Sequence, residues 1–137
     1  MTSETAFLEP KLVEQANNIL NKTPGWEDKQ AHIEWMPGGG AHKNLRVTAG
    51  DQQCMIKVWN TTWEGLGVIP PSGVVMENTR LAGEIGSGAS LLHISLDPLA
   101  IVIEFIPSTL LDTTHREGTR LLATAARKLH DSQVVFA

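Results

Sequence analysis

Apolar positions along the 137-residue chain change period several times, and each change marks an element. Leu12, Ala16, Ile19 and Leu20 recur at helical spacing behind Pro10. Proline suits the first turn of a helix, where its missing N–H has no partner to lose. Thr23-Pro24-Gly25 ends that helix. Ile33, Trp35 and Met36 predict a first strand, closed by Pro37 and Gly38-Gly39-Gly40. Leu45-Arg46-Val47-Thr48 predicts a second strand and Gln53 to Trp59 a third, joined through Ala49-Gly50-Asp51 as an antiparallel meander. Residues Asn60 to Ser72 read as a loop, because Gly65, Gly67 and Pro70-Pro71 interrupt regular structure. A helix then runs from Gly73 or Val74 to Ile85, with Val75, Leu81, Ala82 and Ile85 on its inner face and Gly86-Ser87-Gly88 as its stop. Leu91 to Ser95 and Ala100 to Ile106 predict two more strands, joined through Asp97-Pro98. The β-branched run Ile101-Val102-Ile103 marks the second of these as central and buried. A last helix fits Glu117 to His130, with Leu121, Leu122, Ala125 and Leu129 at helical spacing.

This order gives an α+β fold: a five-stranded antiparallel sheet with one packed helix and helices at both ends, in a single domain over residues 1–137. The apolar tail Val134-Val135-Phe136 is an unusual place for a domain to stop, so the chain is expected to be cut from something longer. Composition narrows the function classes. A net charge of −4 argues against a nucleic-acid partner, which calls for a basic face. No apolar run reaches the roughly 18 residues of a membrane span, and the N-terminus lacks a signal-peptide layout. The single cysteine, Cys54, cannot form an internal disulfide, which points to a reducing, cytoplasmic setting. No Cys/His cluster has zinc spacing.

Three features carry candidate chemistry. Gly38-Gly39-Gly40 lets backbone N–H groups approach an anion, since no Cβ blocks the way. An ordinary hairpin turn accounts for three glycines equally well. His42 and Lys43 would add donors or charge to the same turn, or stand solvated. Lys57 is the sharper signal. Alternation puts Cys54, Ile56 and Val58 on one face of the third strand and Met55, Lys57 and Trp59 on the other. A lysine among apolar neighbours is costly to bury unless an anion meets it, as in the strand lysine of kinase nucleotide sites. A lysine reaching solvent at the sheet edge is the alternative. Glu77 follows Lys57 by 20 residues on the next predicted helix, where a carboxylate can hold the lysine head by a charge-assisted bond. Glu84 lies near the same face but at the helix end, and either acid can instead be solvated. Glu104-Phe105-Ile106-Pro107 leaves the buried strand as an extended segment whose backbone groups suit a flat heterocycle. His130-Asp131 is discounted as a catalytic loop, because no Asn follows at the spacing a kinase needs. The four tryptophans suggest an aromatic cage, but core packing is the plainer reading for Trp35 and Trp59.

In this order and spacing the residues resemble the N-terminal lobe of the choline kinase and aminoglycoside phosphotransferase superfamily, which has a protein-kinase-like fold. The likeness runs from about residue 10 to residue 132. It rests on Gly38 to Val47 as the glycine loop and Ile56-Lys57-Val58 as the strand lysine. Glu77 to Gly86 matches the glutamate helix, Ile101 to Pro107 the hinge strand, and Leu121 to His130 the helix that opens the second lobe. The resemblance implies that backbone amides around Gly38, Gly39, Gly40, Ala41 and His42 cover the phosphates of ATP. It implies that Lys57 pairs with the α- and β-phosphates and with Glu77, and that backbone at Glu104 and Ile106 holds adenine. Ala41-His42 stands where the family usually has Thr-Asn, so His42 would replace those contacts.

The family's catalytic Asp and Asn, its magnesium-binding acid and its acceptor pocket would all lie beyond Ala137. Mg2+ is therefore expected only with that missing lobe, and the isolated chain is expected to be inactive. The implied parent reaction moves the ATP γ-phosphate to a hydroxyl on a choline- or ethanolamine-like acceptor. Aminoglycoside, thiamine and sugar-amine kinases are alternatives within the enzymes, and a non-catalytic kinase-fold binding or assembly module is the alternative outside them. The apolar surface meant for the second lobe would favour a homo-oligomer.

Overall fold

The computed structural model describes residues 8–37, 41–109 and 111–137. In chain order the elements are α1 Pro10–Leu20, β1 His32–Trp35, β2 Lys43–Ala49, β3 Gln52–Val58, α2 Thr61–Gly65, α3 Ser72–Glu84, β4 Leu91–Leu96, β5 Leu99–Glu104 and α4 Arg116–Asp131. The strands form one antiparallel sheet in the order β1-β2-β3-β5-β4. The α+β reading of the sequence holds.

Each face of the sheet carries its own apolar layer. On one, Leu12, Ala16, Ile19 and Leu20 of α1 pack on Leu45, Val47, Cys54, Ile56, Val58, Ala100 and Val102. These are the four α1 positions set by the helical period, and all are buried. Fully burying a side chain such as Ile19, Leu45 or Ile56 stabilises the fold by roughly 1.5–3 kcal/mol. Thr23, buried just past the helix, donates its hydroxyl to the Ile19 carbonyl at 2.9 Å, so its polar atom is satisfied. The opposite face packs Trp59, Met76 and Ile101 with Ile69, Val75, Leu91, Leu99 and Ile103. This places α3 on the face that β3 turns through Met55, Lys57 and Trp59. β5 lies between β3 and β4; of its β-branched run Ile101 and Val102 are buried and Ile103 is half-buried, and Ala100 beside them is buried too.

Four sequence expectations need correction. Residues 60–72 are not all loop: Asn60 caps α2 by accepting the Trp63 N–H at 3.4 Å. The Glu64 carboxylate then takes the Ser72 N–H at 2.8 Å and its hydroxyl at 3.0 Å, which ties α2 to the start of α3. On α3 the one buried side chain is Met76, while Val75, Leu81, Ala82 and Ile85 are half-buried. Trp35 is not core but lies on edge strand β1, 37% exposed, whereas Trp59 is buried. On α4, Leu121, Leu122 and Ala125 are exposed, and Leu129 is half-buried. Among the described residues, no helix is long and apolar enough to cross a membrane.

Candidate functional site

Lys57 stands near the C-terminal end of β3, paired across the sheet with Asn44 of β2 and Ile101 of β5. Two central neighbours and the strand alternation fix its side chain on the α3 face. It is half-buried, and its ammonium lies 5.9 Å from the centre of the Trp59 ring, within cation–π range. The edge-strand alternative is thereby removed, because β3 is an interior strand.

His42 joins the same cluster from the segment entering β2. Its ring sits 4.5 Å from Trp59, tilted by 37°. Its Nδ1 accepts the backbone N–H of Asn60 at 3.1 Å. An accepting Nδ1 carries no proton, so the bond assigns the neutral ring with its hydrogen on Nε2. The electrostatics agree: burial, and then the nearby Lys57 charge, hold the His42 pKa below its ordinary value against a smaller opposing pull from Glu64. Trp59 itself is buried, and its indole N–H has no hydrogen-bond partner among the described residues. His42, Lys57 and Trp59 thus form one cluster at the end of β3. Trp59 was read from the sequence as core only. Its signal was the i, i+2 spacing from Lys57, which places both on one face. The glycines of the turn, Gly38, Gly39 and Gly40, lie outside the described residues. Ala41, at their edge, lines the cavity described below, as does Trp59.

Glu77 lies on α3, but no ion pair joins it to Lys57 among the described residues. The Arg80 guanidinium binds the Glu77 carboxylate at 2.5 Å and 3.0 Å and reaches Glu84 at 2.5 Å. The Arg80 hydrogen bond holds the Glu77 carboxyl below the usual range. The cause is helical phase. Met76 points into the apolar layer, and the next residue is turned about 100° away around the helix. Sequence spacing places Glu77 on α3 but does not fix this angle.

At the end of β5, Glu104 pairs with Cys54. Its backbone N–H donates to the Ser90 carbonyl at 2.9 Å. Its carboxylate accepts the Ser90 N–H at 3.3 Å. Glu104 therefore has no free N–H for a heterocycle. Ile106, beyond the strand and half exposed, has an N–H with no hydrogen-bond partner among the described residues. Between them the Phe105 ring lies 4.5 Å from the Arg46 guanidinium, which also pairs with Glu34 at 3.5 Å.

A cavity of about 620 Å³ opens at the end of the sheet between α1, the starts of β2 and β5, and the end of β3. Leu12, Ala41, Val58, Trp59 and Leu99 line it, with Lys11 and Lys43 among its charged residues. Lys57, Glu77, Glu104 and Ile106 do not line it. Among the described residues, no group of three or more His, Cys, Asp or Glu side chains could hold a metal ion.

The outer side of α3 makes a further contact. The Asn78 amide donates to the Ala137 carbonyl at 3.1 Å and accepts the Ala137 N–H at 3.0 Å. Lys128 of α4 donates to the Gly86 carbonyl at 2.9 Å, just past the end of α3.

No protein-family model matches the sequence, and no curated protein matches it. The solved structures are informative. A choline/ethanolamine kinase family protein from Mesorhizobium loti superposes on 92% of this chain with a TM-score of 0.66, at 21% identity. The chain has a choline-kinase-like fold. Choline kinase from Cryptosporidium parvum Iowa II gives a TM-score of 0.65 over 91% of the chain, at 15% identity. The chain spans 40% and 37% of the lengths of these two proteins. Within this choline-kinase-like fold, the elements that carry Lys57, Glu77 and the β5 exit are the described β3, α3 and β5.

Proposed function

We propose that this chain is the ATP-binding lobe of a small-molecule kinase whose parent protein transfers the ATP γ-phosphate to a hydroxyl acceptor of the choline or ethanolamine type. The observation that carries the reading is Lys57, a half-buried cation on an interior strand of a choline-kinase-like fold, on the face shared with α3. Among the described residues its ring partner is Trp59, and no carboxylate pairs with it. A phosphate oxygen would supply the missing anion.

In this reading Lys57 binds the α- and β-phosphate oxygens and fixes their position. His42, neutral with Nε2–H free to donate, offers a hydrogen bond in place of a second charge. The Ile106 N–H and the Glu104 carbonyl flank the adenine. Positioning and charge neutralisation are what phosphoryl transfer requires of a protein, and Mg2+ would supply the larger share of neutralisation when bound. The chain's own contribution is binding and orientation, so alone it is expected to turn over no ATP.

The test is a calorimetric titration of the chain with ATP, repeated with Lys57→Ala. A hydrogen bond to a charged group is worth about 1.5–3 kcal/mol, so the variant should bind about 10- to 100-fold more weakly. Equal affinity in the two proteins would remove Lys57 from the site. A second reading, a non-catalytic kinase-fold module, is favoured by one observation: Glu77 is committed to Arg80 rather than to Lys57. Absence of any ATP binding would support that module.

A further inference from the structure

We propose that Arg46 is a specificity-determining residue of this site, a flat cationic plate on which the base of a nucleoside triphosphate stacks. The inference rests on the nucleotide reading given above and deepens it at the end remote from Lys57. Its basis is the register of the sheet. Glu34, Arg46, Met55 and Ile103 are successive partners across β1, β2, β3 and β5, so they form one row on one face. Asn44, Lys57 and Ile101 form the neighbouring row, about 7 Å away along the strands. Both rows lie on the face that carries α3. The apolar layer under α3 draws on β4, β5 and Trp59 just past β3, but on no described residue of β1 or β2. Arg46 therefore stands outside that layer.

Two contacts hold its guanidinium. Its Nε is 3.5 Å from the Glu34 carboxylate, and its central carbon is 4.5 Å from the centre of the Phe105 ring. At 3.5 Å Glu34 supplies charge, and the buried Nε has no hydrogen-bond partner among the described residues. Phe105 follows β5, whereas Arg46 stands on β2, and β3 lies between those strands. The two side chains therefore meet in front of β3. They meet at the end away from Lys57. Lys57 pairs with Ile101, and Phe105 lies four residues further along, on the order of 13 Å in an extended chain. The Arg46 side chain is 36% exposed, so Glu34 and Phe105 hold it without enclosing it.

A guanidinium is planar, delocalised and weakly hydrated, and it stacks on aromatic faces. Phe105 makes one such contact. In the nucleotide reading the base is flanked by Glu104 and Ile106, and Phe105 stands between these two in the chain. A base placed there meets the Arg46–Phe105 pair, with Met55 and Ile103 of the same row as apolar surface beside it. Glu34 anchors the plate from β1. Stacking rewards ring area, so this platform favours a purine over a pyrimidine, and either over a bare phosphate chain.

The experiment titrates ATP, CTP and inorganic tripolyphosphate into the 137-residue chain and into Arg46→Leu and Arg46→Lys. The wild type should bind ATP more tightly than CTP, and CTP more tightly than tripolyphosphate. Arg46→Leu should weaken ATP binding about 5- to 30-fold, the range of a cation stacked on a ring. Its tripolyphosphate affinity should be unchanged, which also shows that the variant is folded. Arg46→Lys keeps the charge and loses the plane, so it should resemble Arg46→Leu. In the wild type, ATP should move the Arg46 Nε–H resonance upfield through the ring current of the base, and tripolyphosphate should not. The proposal is overturned if ATP affinity survives either substitution or rises in Arg46→Leu. It is also overturned if ATP and tripolyphosphate weaken together, which would put Arg46 on the phosphates. Equal wild-type affinity for ATP and tripolyphosphate would remove the base platform and leave Lys57 as a phosphate site. If the wild type binds none of the three, the nucleotide reading fails first and takes this inference with it.

Discussion

Replacing Gly118 by alanine tests how the segment after the β5 exit is seated on α4. Gly118 is the buried residue of α4. A methyl group built on it would sit 1.9 Å from the Asp112 carbonyl oxygen and 2.8 Å from its carbon. Ordinary contact begins at 3.4 Å, so the backbone at residue 112 must retreat by about 1.5 Å. That retreat pulls on the turn in which Asp112 accepts the Thr114 N–H at 2.9 Å, and on the Thr119 hydroxyl bond to the Thr113 carbonyl at 3.1 Å. Overpacking of this kind costs about 1–3 kcal/mol, against a helix-propensity gain of up to about 1 kcal/mol. The net expectation is a loss of about 1–2 kcal/mol, or roughly 3–8 °C in Tm for a domain of this size. Gly73, in the first turn of α3, is the control. Nothing lies within 4 Å of a methyl there, so Gly73→Ala should stabilise by about 0.4–1 kcal/mol. Urea unfolding followed by circular dichroism compares the two. The same chemical change should give opposite signs, and a Gly118→Ala protein as stable as Gly73→Ala would refute the packing argument.

Burial pushes the Cys54 thiol up to about 12, so it should resist a disulfide reagent at pH 8 in the folded protein and react fully in urea; fast labelling of the native chain would show the strand to be open. His42 has a depressed pKa, so below about pH 6.5 the unfolded chain binds more protons than the folded one, and stability should fall as pH falls through that window. His42→Gln should flatten this slope in urea titrations across pH 5–7, leaving the part due to His93, which burial and Lys22 shift in the same direction. Arg80→Ala should return the Glu77 carboxyl toward its ordinary titration range in NMR with little change in Tm, because the pair is exposed.

Local periodicity carried most of the fold. The four apolar positions of α1 are buried because a 3.6-residue period leaves a helix only one way to bury its apolar face. Ile101-Val102-Ile103 announced an interior strand, since only a strand covered on both faces tolerates such a run. α2 was obscured by the glycines and prolines around it, although Asn60 at its cap was a legible start signal. The site was legible by element and not by angle. Lys57 could be placed on a face because a strand has only two, whereas Glu77 could not, because a residue on a helix can point anywhere around the axis. The His42–Trp59 and Asn78–Ala137 contacts join residues 17 and 59 apart, and no local pattern encodes such pairings.

The insertion of β5 between β3 and β4 also governs how the chain folds. β1, β2 and β3 are joined by short connections and can zip as local hairpins, and so can β4 with β5. The β3–β5 ladder is different: residues 59–98, with α2, α3 and β4 inside them, must close into a loop before it can form. Two hairpin units that assemble early and dock late would make this central seam the slow step. Substitutions at Ile56 or Val102, which face each other across the seam, should then affect the folding rate more than equally buried positions within α1.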